Sequence, residues 1–151
     1  MAKDETQTAD RQAWLGLLAR APAGRAAELM AARLAAPSFT WLRAPEIGSV
    51  MVQGRAGATG APFNLGEMTV TRGSLQLDDG TVGHGYVQGR SKRDAEAAAL
   101  TDALMQTPAA AQVRTAVLDP LVEEEATRKA SRAAKAAATK VEFFTMVRGE
   151  D

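Results

Sequence analysis

Within RQAWLGLLAR the large apolar residues Trp14, Leu17 and Leu18 recur at helical spacing, and Asp10 stands where a helix start would be capped. A break at APAG is followed by RAAELMAARLAA, in which Leu29, Met30 and Leu34 share a second helical face before Pro37 stops it. The pattern predicts a helical hairpin over residues 10–36. From Ser38 the period shifts to that of strands, in FTWLRAPE, GSVMVQGRAG, GEMTVTRGSLQL and TVGHGYVQG. LDDGT joins the last two, and Asp79-Gly80 is the two-residue type that matches hairpin twist. An antiparallel sheet of about four strands is expected over residues 38–89.

Helical patterning returns after Gly89. Ser91 and Asp94 are placed as cap and first-turn acid of AEAAALTDALMQ, whose Leu100, Leu104 and Met105 are expected to pack on the sheet. Pro108 ends that helix, and AAAQVRTAVLDP then offers Val113, Val117 and Leu118 as contacts before Pro120 punctuates it. Residues 91–119 thus read as packing helices. The segment 121–151 reads as a long helix with a docking tail. Its acids Glu123, Glu124 and Glu125 precede its cations Arg128, Lys129, Arg132, Lys135 and Lys140, the order a helix dipole favours. Its stripe of Ala126, Ala130, Ala133, Ala137 and Val141 packs closely but buries little area. The chain then ends in VEFFTMVRGED, an apolar tip that needs a receiving surface, because a terminus with nothing to hold it frays into water. The fold class expected is α+β: one domain over 1–151, with a disordered leader over 1–9 and an extended C-terminal arm.

Composition narrows the function. At 151 residues the chain is long enough for one ordinary domain. Lys+Arg and Asp+Glu are both 18, so no net field recruits nucleic acid or an anionic membrane. The absence of cysteine removes disulfides, thiolate nucleophiles and cysteine-ligated metal or iron-sulfur sites. With no apolar signal core, and no run near the roughly 20 residues of a membrane span, a cytoplasmic location is expected. The basic tract of the last helix lacks aromatic partners for base stacking and reads as a solvated face.

Ten of the 13 glycines fall between Gly48 and Gly89, which directs attention to the loops of the sheet region. GRAGATGAPF combines Arg55, Thr59 and consecutive peptide N–H groups, and reads as a hairpin loop, a protein-docking loop or a phosphate cradle. It lacks the Gly-Lys-Ser/Thr of a Walker loop, and no Rossmann pattern occurs. VQGRSKRDAE places Gln88, Gly89 and Arg90 where strand gives way to helix. That is a turn capped by Ser91, or a resting place for an anion at the helix start. His84, the single histidine, reads as an ordinary strand residue, since a lone imidazole completes no metal site and needs a partner to act as a base. No acid–base or nucleophile constellation is evident.

The strings RQAWLGLLAR, GATGAPFNLGEMTVTR, LDDGTVGHGYVQGR, AEAAALTDALMQ and above all VEFFTMVRGED resemble the PhnG family, the G subunit of the carbon-phosphorus lyase core complex. The likeness runs over nearly the whole chain. It implies a bacterial organophosphonate-degrading system in which G, H, I and J subunits form a two-fold symmetric core, joined by an accessory ATPase-like subunit. It further implies that a phosphonate displaces adenine from ATP to give ribose 1-phosphonate 5-triphosphate. Later carbon-phosphorus cleavage is implied to use S-adenosylmethionine and an iron-sulfur cluster in the J subunit, with no cofactor in this chain. Because the nucleosidase chemistry is attributed to the I subunit, the resemblance assigns no catalytic residue here. Two roles stay open. As an assembly subunit, the chain docks through Phe143, Phe144, Met146, Val147 and Arg148, the alternative being that this tail folds back on its own sheet. As a ligand-contributing subunit, it gathers Arg55, Thr59, Arg72, Gln88 and Arg90 around a triphosphate or phosphonate. Independent nucleic-acid binding, a third role, is disfavoured by the zero net charge.

Overall fold

Two helices open the chain, α1 (Ala2–Ala19) and α2 (Arg25–Arg33), as the spacing of their apolar residues predicts. The structure is a computed structural model and describes residues 2–141. Helix α1 starts well before Asp10, so the position read as a cap lies inside it and the segment read as a leader extends it. Residues 2–9 contain neither proline nor glycine, and nothing local opposes the helix. Helix α2 follows Gly24, whose φ of 84° suits a residue without Cβ and whose side chain can offer no cap.

The sheet has three antiparallel strands in the order β1 (Phe39–Arg55), β2 (Pro62–Leu77), β3 (Val82–Gln88). Four strands were expected because FTWLRAPE and GSVMVQGRAG read as separate strands. Instead the two are one strand. β1 lies at the sheet edge, and register shifts between Trp41 and Arg43 and between Arg43 and Glu46 absorb the proline as a bulge. The β2–β3 hairpin is as predicted, but its turn is longer than two residues. Leu77 N–H donates to the Thr81 carbonyl and Gly80 N–H to the Leu77 carbonyl, both at 2.9 Å. Gly80 has φ 89°, and Asp79 Oδ1 accepts from Thr81 N–H at 2.8 Å. This is the three-residue loop that ends in a left-handed residue.

Helix α3 (Lys92–Leu104) starts as predicted, with Ser91 Oγ accepting from Asp94 N–H at 3.1 Å. Its closest approach to the sheet is through backbone. A Cβ built on Gly83 would lie 2.0 Å from the Ala99 carbonyl oxygen, and one on Gly85 the same distance from that of Ala95. Backbone thus meets backbone, with Ala95, Ala99 and Ala103 facing the glycines. Leu100 and Met105 are buried in the core that also holds Leu75, Leu77 and Val87 of the sheet, and Leu104 is half-buried against it.

α4 (Ala110–Val113), a π-helical turn (Arg114–Leu118) and α5 (Asp119–Ala138) form one continuous helical run. Pro120 therefore does not separate two helices. It has no N–H to bond backwards, and the π turn immediately before it takes up the mismatch. The core joins Trp14, Leu17 and Leu18 to Leu29, Met30, Leu75, Leu77, Val87, Val117 and Leu121. Beyond Leu121 no described residue of α5 is buried. Among the described residues no helix is long and apolar enough to cross a membrane.

Candidate functional site

The five residues read as ligand contacts occupy two separate places. Arg55 ends β1 opposite Pro62, and Thr59 follows the short turn Ala56–Ala58 at the hairpin tip. There Gly57 and Ala58 both take positive φ, 58° and 66°. Arg55 Nη1 donates to the Gly60 carbonyl at 3.2 Å, so this guanidinium helps to close the tip. Arg72 lies ten residues along β2 from Pro62, about 33 Å away in extended chain. It is flanked by Glu46 on β1 and Tyr86 on β3. Gln88 ends β3 opposite Val70, and the exposed Arg90 follows Gly89 in the turn before α3. Arg72, Gln88 and Arg90 are thus neighbours near one end of β3, while Arg55 and Thr59 are not with them.

His84 lies on the exposed face of β3. Its Nδ1 is 2.8 Å from Ser74 Oγ, and Asp102 engages its backbone N–H rather than its ring. Beside it, Arg43 pairs with Glu46 and holds that carboxyl below its ordinary range. Among the described residues the imidazole therefore has a hydroxyl for a partner and no carboxylate to orient it as a base.

β3 stops opposite Val70, and beyond that point, among the described residues, only β1 and β2 continue. Residues 62–69 of β2 add about 26 Å of strand. Every β2 residue from Pro62 to Met68 is exposed. Alternation would hide one side if this ribbon had a core, yet Met51, Phe63 and Leu65 are 54, 46 and 66% exposed. An isolated two-stranded ribbon is marginal in water, and one carrying this much apolar surface fits a covering partner.

Two buried carboxylates escaped sequence reasoning as structural centres. Asp102, fully buried in α3, accepts from Arg11 Nε at 3.0 Å, Arg11 Nη2 at 2.7 Å, Trp14 Nε1 at 2.9 Å and His84 N–H at 2.9 Å. It ties α1, α3 and the free edge of β3 together. Asp94 accepts from the backbone N–H groups of Gly24 at 2.7 Å and Ala27 at 3.3 Å, and so caps α2 from a distant part of the chain. Only its place in the first turn of α3 was legible beforehand.

The acids of α5 do more than complement a dipole. Glu124 accepts from Arg25 Nε at 2.9 Å and Nη2 at 2.8 Å, and this guanidinium holds its carboxyl below the ordinary range. Glu125 is lowered first by Arg20, at 3.1 Å, and then by Lys129. These pairs fasten the root of α5 to the α1–α2 corner. They also bring Arg20, Gln88, Glu125, Arg128, Lys129 and Arg132 around a cleft of about 280 Å³. Of the residues predicted to bind a ligand, only Gln88 lines it.

The tail residues predicted to dock, Phe143, Phe144, Met146, Val147 and Arg148, lie outside the described residues. The family described as phosphonate metabolism protein PhnG matches residues 9–149. A relative from Rhizobium meliloti (strain 1021), the PhnG subunit of alpha-D-ribose 1-methylphosphonate 5-triphosphate synthase, is 43% identical over 152 residues. That alignment takes in 98% of this chain and 95% of the relative. With both matches spanning nearly its full length, the chain belongs to the PhnG family.

Proposed function

We propose that the chain is an assembly subunit of a cytoplasmic, phosphonate-processing synthase complex, in which it holds H, I and J subunits together with an accessory ATPase-like subunit. The complex transfers a phosphonate onto the ribose C1 of ATP and releases adenine. This chain contributes surfaces rather than a reacting group. The observation that carries the reading is the two-stranded ribbon beyond Val70, whose large apolar side chains are exposed and which no third strand among the described residues supports. Covering Met51, Phe63 and Leu65 would stabilise an interface by about 1.5–3 kcal/mol per side chain. The catalytic cofactors belong to partners: with no cysteine in the sequence, thiolate ligands for an iron-sulfur cluster must come from another chain.

The test is co-expression of the full chain with the other subunits, with Met51→Asp and Leu65→Asp introduced together. Because both side chains are more than half exposed, the variant is expected to keep its own cooperative melt and to lose co-purification. Unchanged co-purification would overturn the reading. Arg72, Gln88 and Arg90 support a narrower second role as contacts for a bound anion, since they are the three predicted residues that lie together. Changing Arg90 to alanine in the assembled complex would then raise KM with kcat unchanged, whereas unchanged kinetics would discard the role.

A further inference from the structure

We propose that the cleft between the end of α1, the end of β3 and the middle of α5 binds a small ligand carrying two or three linked phosphate groups. In sequence the cations of α5 read as a solvated face, because nothing local distinguishes them from one. Folding changes their setting. Arg20 arrives from over a hundred residues earlier and Gln88 from the sheet, so three elements converge on one concavity. Four cations, Arg20, Arg128, Lys129 and Arg132, line it with the single carboxylate of Glu125. That carboxylate is already shared: Oε1 accepts from Arg20 Nε at 3.1 Å, and Oε2 lies 3.3 Å from Lys129 Nζ.

Glu125 therefore acts as an organiser. It holds two cations in place while leaving their remaining N–H groups free to donate. Arg128 and Arg132 have no ion pair among the described residues, and the acid one turn before Arg128, Glu124, is bound to Arg25. Residues 128 and 132 stand one turn apart on the helix, where like charges repel. A polyanion would relieve that repulsion, and the planar fork of arginine matches phosphate oxygens. A second hollow on α5, lined by Thr127, Arg128, Ser131, Arg132 and Lys135, shares Arg128 and Arg132 with the cleft, and Lys135 is seven residues and about 10 Å along the helix from Arg128. That length favours a chain of phosphates over a single one. Among the described residues no aromatic side chain lines the cleft, so these residues offer no platform for a stacked base and recognise the phosphates.

The experiment is calorimetric titration of the full chain with inorganic tripolyphosphate and, separately, orthophosphate, at an ionic strength of about 0.15 M. Tripolyphosphate is expected to bind with one site and at least tenfold more tightly than orthophosphate. Changing Arg128 and Arg132 together to glutamine should weaken it at least tenfold, while the charge-matched change of Lys92 and Arg93 to glutamine leaves it intact. Both variants alter exposed or half-buried side chains of good helix propensity, and circular dichroism verifies that the fold is kept. The proposal is overturned if tripolyphosphate does not bind, if it binds no better than orthophosphate, or if the Lys92/Arg93 variant is the one that loses it. It is equally overturned if the Arg128/Arg132 variant binds tripolyphosphate normally but no longer co-purifies with partner subunits, which would make the strip a docking face for an acidic protein. None of these outcomes depends on whether the Met51/Leu65 ribbon mediates assembly.

Discussion

Replacing Asp102 by alanine removes one acceptor shared by three groups: Arg11, Trp14 Nε1 and the His84 backbone N–H. They do not suffer equally. The Arg11 side chain is 32% exposed and can turn to water, so its share is small. Trp14 is 8% exposed, and its indole N–H would stay buried without a partner, at a cost of about 1–3 kcal/mol. The His84 N–H, on the free edge of β3, adds a comparable cost wherever water fails to reach it. Against these, the variant no longer desolvates a carboxylate, which offsets part of the loss. The net expectation is about 3 kcal/mol, the low end for breaking a buried charge pair. For a chain of 151 residues that lowers Tm by about 6–12 °C. Urea and thermal unfolding of the full chain, followed by circular dichroism, give both numbers. Asp102→Asn is the companion variant: it places an N–H₂ where donors converge, and is expected to lose nearly as much as alanine. Two stable variants, each within about 0.5 kcal/mol of the parent, would refute the view that this carboxylate joins α1, α3 and β3.

Gly85→Ala should destabilise by about 3 kcal/mol, because the added methyl meets the Ala95 carbonyl, whereas Gly66→Ala, with open space around it, should change stability by under about 0.5 kcal/mol. Chemical denaturation of the pair checks the contrast, and equal effects would deny the close approach of α3. The Arg25–Glu124 pair predicts a sign for acid sensitivity. The folded carboxyl is held below its ordinary 4.5, so its contribution is present above that pH and is lost as pH falls through the lowered folded value. Glu124→Gln should therefore flatten the fall in Tm below about pH 4.5, and an unchanged acid limb would remove this pair from the account. Deleting residues 141–151 should leave the melt of the domain cooperative but disrupt co-purification with partner subunits, since no described residue of α5 beyond Leu121 is buried and Val141 is exposed. Each lost aromatic at an interface costs about 2 kcal/mol or more. A truncated chain that fails to melt cooperatively would assign the tail to its own core.

Much of the fold was legible because it is written in short-range pattern. Trp14, Leu17 and Leu18 announced α1 through their spacing, and Ser91 announced the start of α3 through the chemistry of its hydroxyl. Asp79 and Gly80 marked a hairpin, although the loop closed with three residues rather than two. Where the reading slipped, context overruled local pattern: FTWLRAPE and GSVMVQGRAG run on as one edge strand that bulges around Pro45, and Pro120 survives in the last helix because a π turn precedes it. The predicted ligand set divided for a related reason. Arg55 and Arg72 are close in sequence number, but an extended strand carries them about 33 Å apart.

The sequence by itself determined the α+β class, the main helices, the antiparallel hairpins and, through strings spanning nearly the whole chain, the family. Tertiary structure alone decided that Gly83 and Gly85 exist to admit the backbone of α3 and that Asp94 caps a helix seventy residues away. It decided, too, that Asp102 is the acceptor for three elements and that Arg20 and Gln88 meet the cations of α5. The physical reason is range. Helical and strand periods express themselves over a few residues, whereas the partner of a buried carboxylate or a guanidinium is chosen by how whole elements pack. No local pattern carries that choice.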